Sequence, residues 1–216
     1  LSRSSAASDV YKRQVKLERN SGILLHPTSL PDSPVCGSFG KPAREWLNEL
    51  AAFGIGVWQF LPLAPTDSLG SPYSSPSSFA LNPWFLDQND LVRDGFLANN
   101  LEDFSSANDC FKNRVDFHLA NSKVKSLRFS LVDDWYKQNR TIQEEFEIWC
   151  SKQFWLDDHS IFMELKIQNN DLPWWEWPDE YAGRDKKELE NWKKNNQREL
   201  LGLSLIHISE PTRPVP

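Results

Sequence analysis

The sequence predicts an α/β protein whose first part rests on parallel strands and whose second part is helical. Three observations carry this. Two short apolar runs, at residues 22–26 and 55–61, flank an amphipathic segment. A long proline- and serine-rich stretch follows the second run. From about residue 101 onward the apolar residues fall at helical spacing, with no convincing strand.

The run 22–26 (GILLH) is closed by Pro27, which suits a short buried strand. Pro42 sits where the first turn of a helix tolerates proline. Ala43, Trp46, Leu47, Leu50 and Ala51 then repeat at the i, i+3, i+4, i+7, i+8 spacing of one buried face. Gly54 is the predicted helix stop. The run 55–61 is nearly continuous in apolar residues, the pattern of a parallel strand covered on both faces. Together they make a strand–helix–strand unit, which is right-handed by rule.

Residues 62–83 carry five prolines and are too long for a simple connection. Tyr73 and Phe79 within them argue against disorder. The stretch leaves the C-terminal end of a parallel strand, where α/β folds place their sites, so it is the candidate functional loop. Beyond it, Phe117, Ala120, Val124, Leu127, Leu131 and Trp135 mark one helix face. Phe146 and Trp149 mark a second, and Trp155, Ile161, Phe162 and Leu165 a third. Leu189, Trp192 and Leu200 mark a last, highly charged one. A tryptophan-rich connection, residues 172–184, joins the last two faces.

The domain organisation expected is therefore residues 15–100 as the first βα units, with the loop at 62–83, and 101–202 as a helical insertion. Residues 1–14 lack periodicity, and 203–216 end in prolines after an abrupt change of pattern. Both are read as non-native tails.

With 39% hydrophobic and 25% charged residues in 216, the chain can build one good core or two small ones. A net charge of -6 argues against nucleic acid or an anionic membrane as the main partner. No apolar run approaches the roughly 18 residues of a membrane helix. The three cysteines, Cys36, Cys110 and Cys150, are odd in number and widely spaced. They suit a reducing compartment, the cytoplasm or a plastid stroma, and show no metal-ligand spacing. No metal and no cofactor are expected. Ten tryptophans are several times the usual share. They suit either a core of large aromatics or a surface for the C–H faces of sugars, and composition does not choose between them.

The acids have plain readings. Asp157 with Asp158, and Glu144 with Glu145, are adjacent on predicted helices. Sequence neighbours point apart, so neither forms a carboxylate pair, and solvated surface or capping accounts for them. Asp87 and Asp90 serve a turn and a helix start.

Several blocks carry a family resemblance. RNSGILLHPTSLP at 19–31, VWQFLPLAPT at 57–66 and SPYSSPSSFALNP at 71–83 resemble, in order and spacing, the opening blocks of the 4-α-glucanotransferases, glycoside hydrolase family 77. FWLDDHSIFMELK at 154–166 followed by PWWEWP at 173–178 resembles that family's helical insertion. The resemblance implies the N-terminal part of a (β/α)8 barrel with a mainly helical insertion. It implies transfer of an α-1,4-glucan segment between maltooligosaccharides, or from starch or glycogen chains, by a retaining double displacement. A carboxylate nucleophile and an acid/base carboxyl would stand about 5 Å apart. These catalytic groups are expected beyond residue 202, so the chain by itself is expected to be inactive. The partners implied are α-1,4-glucans, with no nucleic acid and no membrane.

By the same resemblance Tyr73 stacks on the glucose unit beside the cleaved bond, and Ser71 lies near the bound glucan. His26 ends the first strand on the presumed active face and is a third substrate-binding candidate, against a packed, hydrogen-bonded role. Asn82 and Pro83 fix the loop's exit, while Trp58 and Gln59 read as barrel wall. Trp174, Trp175 and Trp177 read as packing ahead of a glucan platform. The chain departs from the family at 35–40 (VCGSFG), and at 67–70 (DSLG), where many members carry a tyrosine of a secondary glucan site. Two other readings stay open: a non-catalytic glucan-binding or interaction module, and a related α-glucan hydrolase.

Overall fold

A computed structural model describes residues 19–31, 35–67, 69–101 and 114–208. Strand β1 (Gly22–Leu24) pairs in parallel with β2 (Val57–Gln59), Gly22 opposite Val57 and Leu24 opposite Gln59. The Leu25 amide extends the ladder to the Gln59 carbonyl at 3.0 Å. Helix α1 (Lys41–Ala52) joins the two strands, with Pro42 in its first turn. Its end follows from Gly54, whose φ of +68° only glycine adopts cheaply. The Gly54 amide reaches the Ala51 carbonyl and the Ile55 amide the Leu50 carbonyl, the paired bonds of a Schellman cap.

Two expectations are corrected here. Only Ala43 and Leu50 of the α1 face are buried; Leu47 and Ala51 stand exposed. The strands are not covered on both faces either, since Leu24 is 59% and Phe60 40% exposed. The reason is the width of the sheet. Among the described residues it has two strands, so the faces a wider sheet would cover are open.

The rest is helical: α2 (Gln88–Arg93), α3 (Phe117–Trp135), α4 (Arg140–Lys152), α5 (Leu156–Gln168), α6 (Asp179–Ala182), α7 (Lys186–Asn195) and α8 (Gln197–Ile208). Side chains start four of them by accepting orphan amides: Asp87 for α2, Asp116 for α3, Asn139 for α4 and Asp185 for α7. The last charged pattern divides into α7 and α8 at Asn196. One core joins Leu91 of α2, Leu127, Leu131 and Trp135 of α3, Phe146 of α4, and Leu205 and Ile206 of α8. A second joins Leu165, Trp177 and Trp192. Residues 203–208, set aside on sequence, are thus helical, with Leu205 and Ile206 in the core.

A buried ion pair ties α3 to α5: the Arg128 guanidinium donates to Glu164 Oε2 at 2.9 Å. Gly202 of α8 lies against Arg128, where an added Cβ would come within 2.6 Å of Cγ.

Candidate functional site

The loop after β2 orders itself with its own polar groups. At its base the Asn82 amide donates to the Leu63 carbonyl at 2.8 Å. Asp67 organises the next turn: its Oδ1 accepts the amides of Leu69 at 3.0 Å and Ser71 at 3.1 Å. Its own amide donates to the Ser74 carbonyl at 2.9 Å. The amides its carboxyl accepts, that of Ser71 foremost, hold the Asp67 carboxyl below its ordinary pKa. Gly70, at φ +76°, brings the backbone against the Phe117 ring, which occupies the space a Cβ would need. Further along, the Ser77 hydroxyl accepts the amides of Phe79 and Ala80. Aspartate and serine here replace the hydrogen bonds that secondary structure supplies elsewhere.

Tyr73 sits within this scaffold and is 75% exposed, so its ring is available to a ligand. Ser71 is half-buried, its amide on Asp67 and its carbonyl accepting the Ser74 amide at 3.2 Å. The two candidates therefore share one turn. His26 is elsewhere, at the end of β1, with its ring edge-on to Phe85 at 5.8 Å. It belongs to an aromatic layer that continues through Phe39 to Trp58 and Phe60. Burial lowers its pKa, so the ring is neutral at neutral pH. The packing expected of it is there, but the hydrogen bonding is incomplete: Nδ1 is buried with no partner. Its ring neighbour Phe85 accepts no hydrogen bond in the ring plane.

Asn82 fixes the loop exit by accepting the Trp84 amide at 3.1 Å. Trp58 is half-buried, donating from Nε1 to the Leu25 carbonyl at 2.7 Å. The tryptophans at 172–184 divide. Trp177 is buried and donates to the Leu172 carbonyl, whereas Trp174 and Trp175 are 51% and 65% exposed. Asp157, Asp158 and Glu144 form exposed ion pairs with Lys193, Arg184 and Arg140. Asp87 caps α2 and also accepts the Ser38 hydroxyl. Asp90, read with Asp87 as serving a turn and a helix start, stands in the first turn of α2 and is held by Arg44 at 2.7 Å. Among the described residues no group of three side chains could hold a metal ion.

Sequence reasoning missed Asp67 and Phe79 as organisers of the loop. The signal for Asp67 was an aspartate three residues before a glycine, an Asx-turn pattern. Nothing local marks Phe79, whose partners Phe154 and Trp155 lie on a distant segment.

The chain is similar to known proteins along most of its length. Residues 25–206 match the 4-alpha-glucanotransferase model of glycoside hydrolase family 77. The 4-alpha-glucanotransferase of Synechocystis is 36% identical over 187 residues, covering 85% of this chain and 36% of that protein. The Thermus thermophilus enzyme of the same name is 36% identical over 181 residues, covering 83% and 35%. Among solved structures, an amylomaltase from Streptococcus agalactiae in complex with acarbose superposes with a TM-score of 0.76 at 25% identity. That match covers 89% of this chain and 39% of the amylomaltase. The chain thus spans about a third of the length of the curated relatives it matches. On the match across most of its length, the chain belongs to the 4-alpha-glucanotransferase family, glycoside hydrolase family 77.

Proposed function

We propose that the protein of which this chain is part transfers α-1,4-glucan segments between maltooligosaccharides or starch and glycogen chains, and that residues 62–83 supply part of its sugar site. The observation that carries this is Tyr73: an exposed ring on a loop already ordered by its own hydrogen bonds, at the C-terminal end of a parallel strand. A preordered flat ring suits stacking on a glucose face, because little conformational freedom is lost on binding. Ser71 on the same turn supplies a hydroxyl to the sugar. His26, neutral and following β1 away from that turn, is a third candidate to hydrogen-bond the sugar. The amylomaltase neighbour's complex with acarbose supports a ligand of this kind.

In this reading β1 and β2 open a (β/α)8 barrel, and residues 101–202 are a helical insertion. The parallel register and the open apolar faces support it. The reaction is a retaining double displacement on two carboxyl groups about 5 Å apart. Asp87 is engaged in a cap, and Glu144, Asp157 and Asp158 in surface ion pairs, which leaves them unsuited to those roles. The protein works in the cytoplasm or a plastid stroma. No helix among the described residues is long and apolar enough to cross a membrane.

The test is product analysis. The full-length protein given maltotriose alone yields glucose together with maltooligosaccharides longer than the substrate. Glucose and maltose without longer chains would mean a hydrolase, and no turnover would end the reading. Tyr73→Ala lowers kcat/KM about a hundredfold, the scale of a lost positioning contact.

A further inference from the structure

Phe79 does more than keep the loop ordered. Its ring lies 5.0 Å from Phe154 in an edge-on contact and 6.4 Å from Trp155 in a stacked one, the planes 13° apart. Phe154 stands two residues before α5, next to its N-cap residue Trp155 and 75 positions along the chain from Phe79. Both Phe79 and Phe154 are largely exposed, at 59% and 80%. Two large apolar rings out in solvent add little to the core, yet they meet each other at the spacing of a favourable aromatic pair.

The loop is held at three points. Its base closes through Asn82 and Leu63, its first turn packs Gly70 on Phe117, and its second half reaches the helical part through Phe79. Tyr73 lies between the second and third of these. The hydrogen bonds of Asp67 and Ser77 fix the shape of each turn locally. They do not fix where the loop stands relative to the helices. The Phe117 and Phe154–Trp155 contacts do reach that far. Trp155 is itself anchored, its ring edge-on to His159 at 5.7 Å.

We propose that Phe79, Phe154 and Trp155 form a positioning bracket that, together with the Gly70–Phe117 contact, sets the placement of Tyr73, so that the helical part governs the sugar subsite. The role in catalysis rests on the function proposed above; the placement of Tyr73 does not. Phe79 and Phe154 are positioning residues and touch no substrate.

The full-length enzyme tests this in two ways. In maltotriose disproportionation, Phe79→Ala and Phe154→Ala each lower kcat/KM about tenfold, as a displacement well under 1 Å does. Phe79→Tyr, which keeps the ring, restores it. In a Tyr73→Ala background neither substitution costs anything further, because residues acting through one contact are not additive. Wild-type kinetics in both alanine variants, or a full tenfold loss in the Tyr73→Ala background, overturns the bracket. If wild-type protein leaves maltotriose unchanged, the glucanotransferase reading falls and the bracket is decided by proteolysis. Chymotryptic cleavage after Tyr73, followed by mass, accelerates about tenfold in Phe79→Ala and Phe154→Ala, as cleavage tracks the population of the opened loop. Unchanged cleavage in Phe154→Ala, whose exposed side chain can be removed without opening the core, overturns it.

Discussion

The strand-and-loop part and the helical part of this chain achieve order by opposite means. In the helices, Leu131, Val132, Leu205 and Ile206 are at most 2% exposed, and an ion pair is buried among them. Around the strands, Leu24, Phe53 and Phe60 are 40% exposed or more, and the loop beyond is shaped by aspartate and serine hydrogen bonds. Apolar burial stabilises the first, local polar bonding the second. The contrast separates two quantities that often move together. On the proposed function, substitutions in the helical core change stability most, and substitutions in the loop change binding most.

The hardest blow to the helical part falls at its ion pair. Arg128→Ala leaves the Glu164 carboxylate buried without its partner, a loss of about 3–5 kcal/mol. Arg128→Met with Glu164→Leu removes both charges and returns most of that. Chemical denaturation of the full-length protein measures both. A loss under about 1 kcal/mol in Arg128→Ala would show that water reaches the pair and that this core is no drier than the loop.

The next effect is conformational. Gly54→Ala adds a Cβ that meets nothing within 4 Å, so its cost is that of a left-handed backbone alone, about 1–2 kcal/mol. An unchanged denaturation midpoint would mean that the cap of α1 contributes nothing. Smaller still is the stability change in Tyr73→Ala, within about 0.5 kcal/mol, because the ring is exposed and unpacked. The same variant loses most of its activity. A Tyr73→Ala protein that is destabilised as severely as Arg128→Ala would erase the distinction between the two parts.

The helices were legible where one face repeats. The residues 117 to 135 that share a 3.6-residue period became α3, nearly to the ends. The α1 face was half right. Its period placed the helix, but burial needs a partner layer, and Leu47 has none among the described residues. The loop's position was legible from proline content and from its place after a strand. Its internal order was legible only at Asp67, whose spacing to Gly70 is an Asx-turn pattern; Ser77 accepts backbone amides inside a serine-rich run where no one serine stands out. His26 was assigned to the active face from its place in the chain, and the Phe85 contact that buries it comes from 59 residues away. The tryptophan excess left two readings open, and both kinds of site occur: Trp84, Trp135, Trp177 and Trp192 are buried while Trp174 and Trp175 are not, and only tertiary packing tells them apart.

The finest test concerns Asp67. Its carboxyl is held below its ordinary value of 3.8, chiefly by the Ser71 amide. A carboxyl whose pKa falls on folding stabilises the folded form above its unfolded pKa and loses that contribution as the pH falls through the lower, folded value. The loop turn at Leu69–Ser71 is therefore unaffected by titration at neutral pH and loosens only in strong acid. Exchange of the Leu69 and Ser71 amides, corrected for intrinsic rates, is equally protected at about pH 7 and pH 5 and less protected near pH 3. Asp67→Asn keeps an accepting oxygen and removes the charge. It lowers protection at every pH and abolishes the acid-dependent step. Should wild-type protection be the same near pH 3 as at pH 5, the turn would owe its order to backbone bonds such as Gly70 to the Asp67 carbonyl, and the loop's dependence on side-chain charge would be gone.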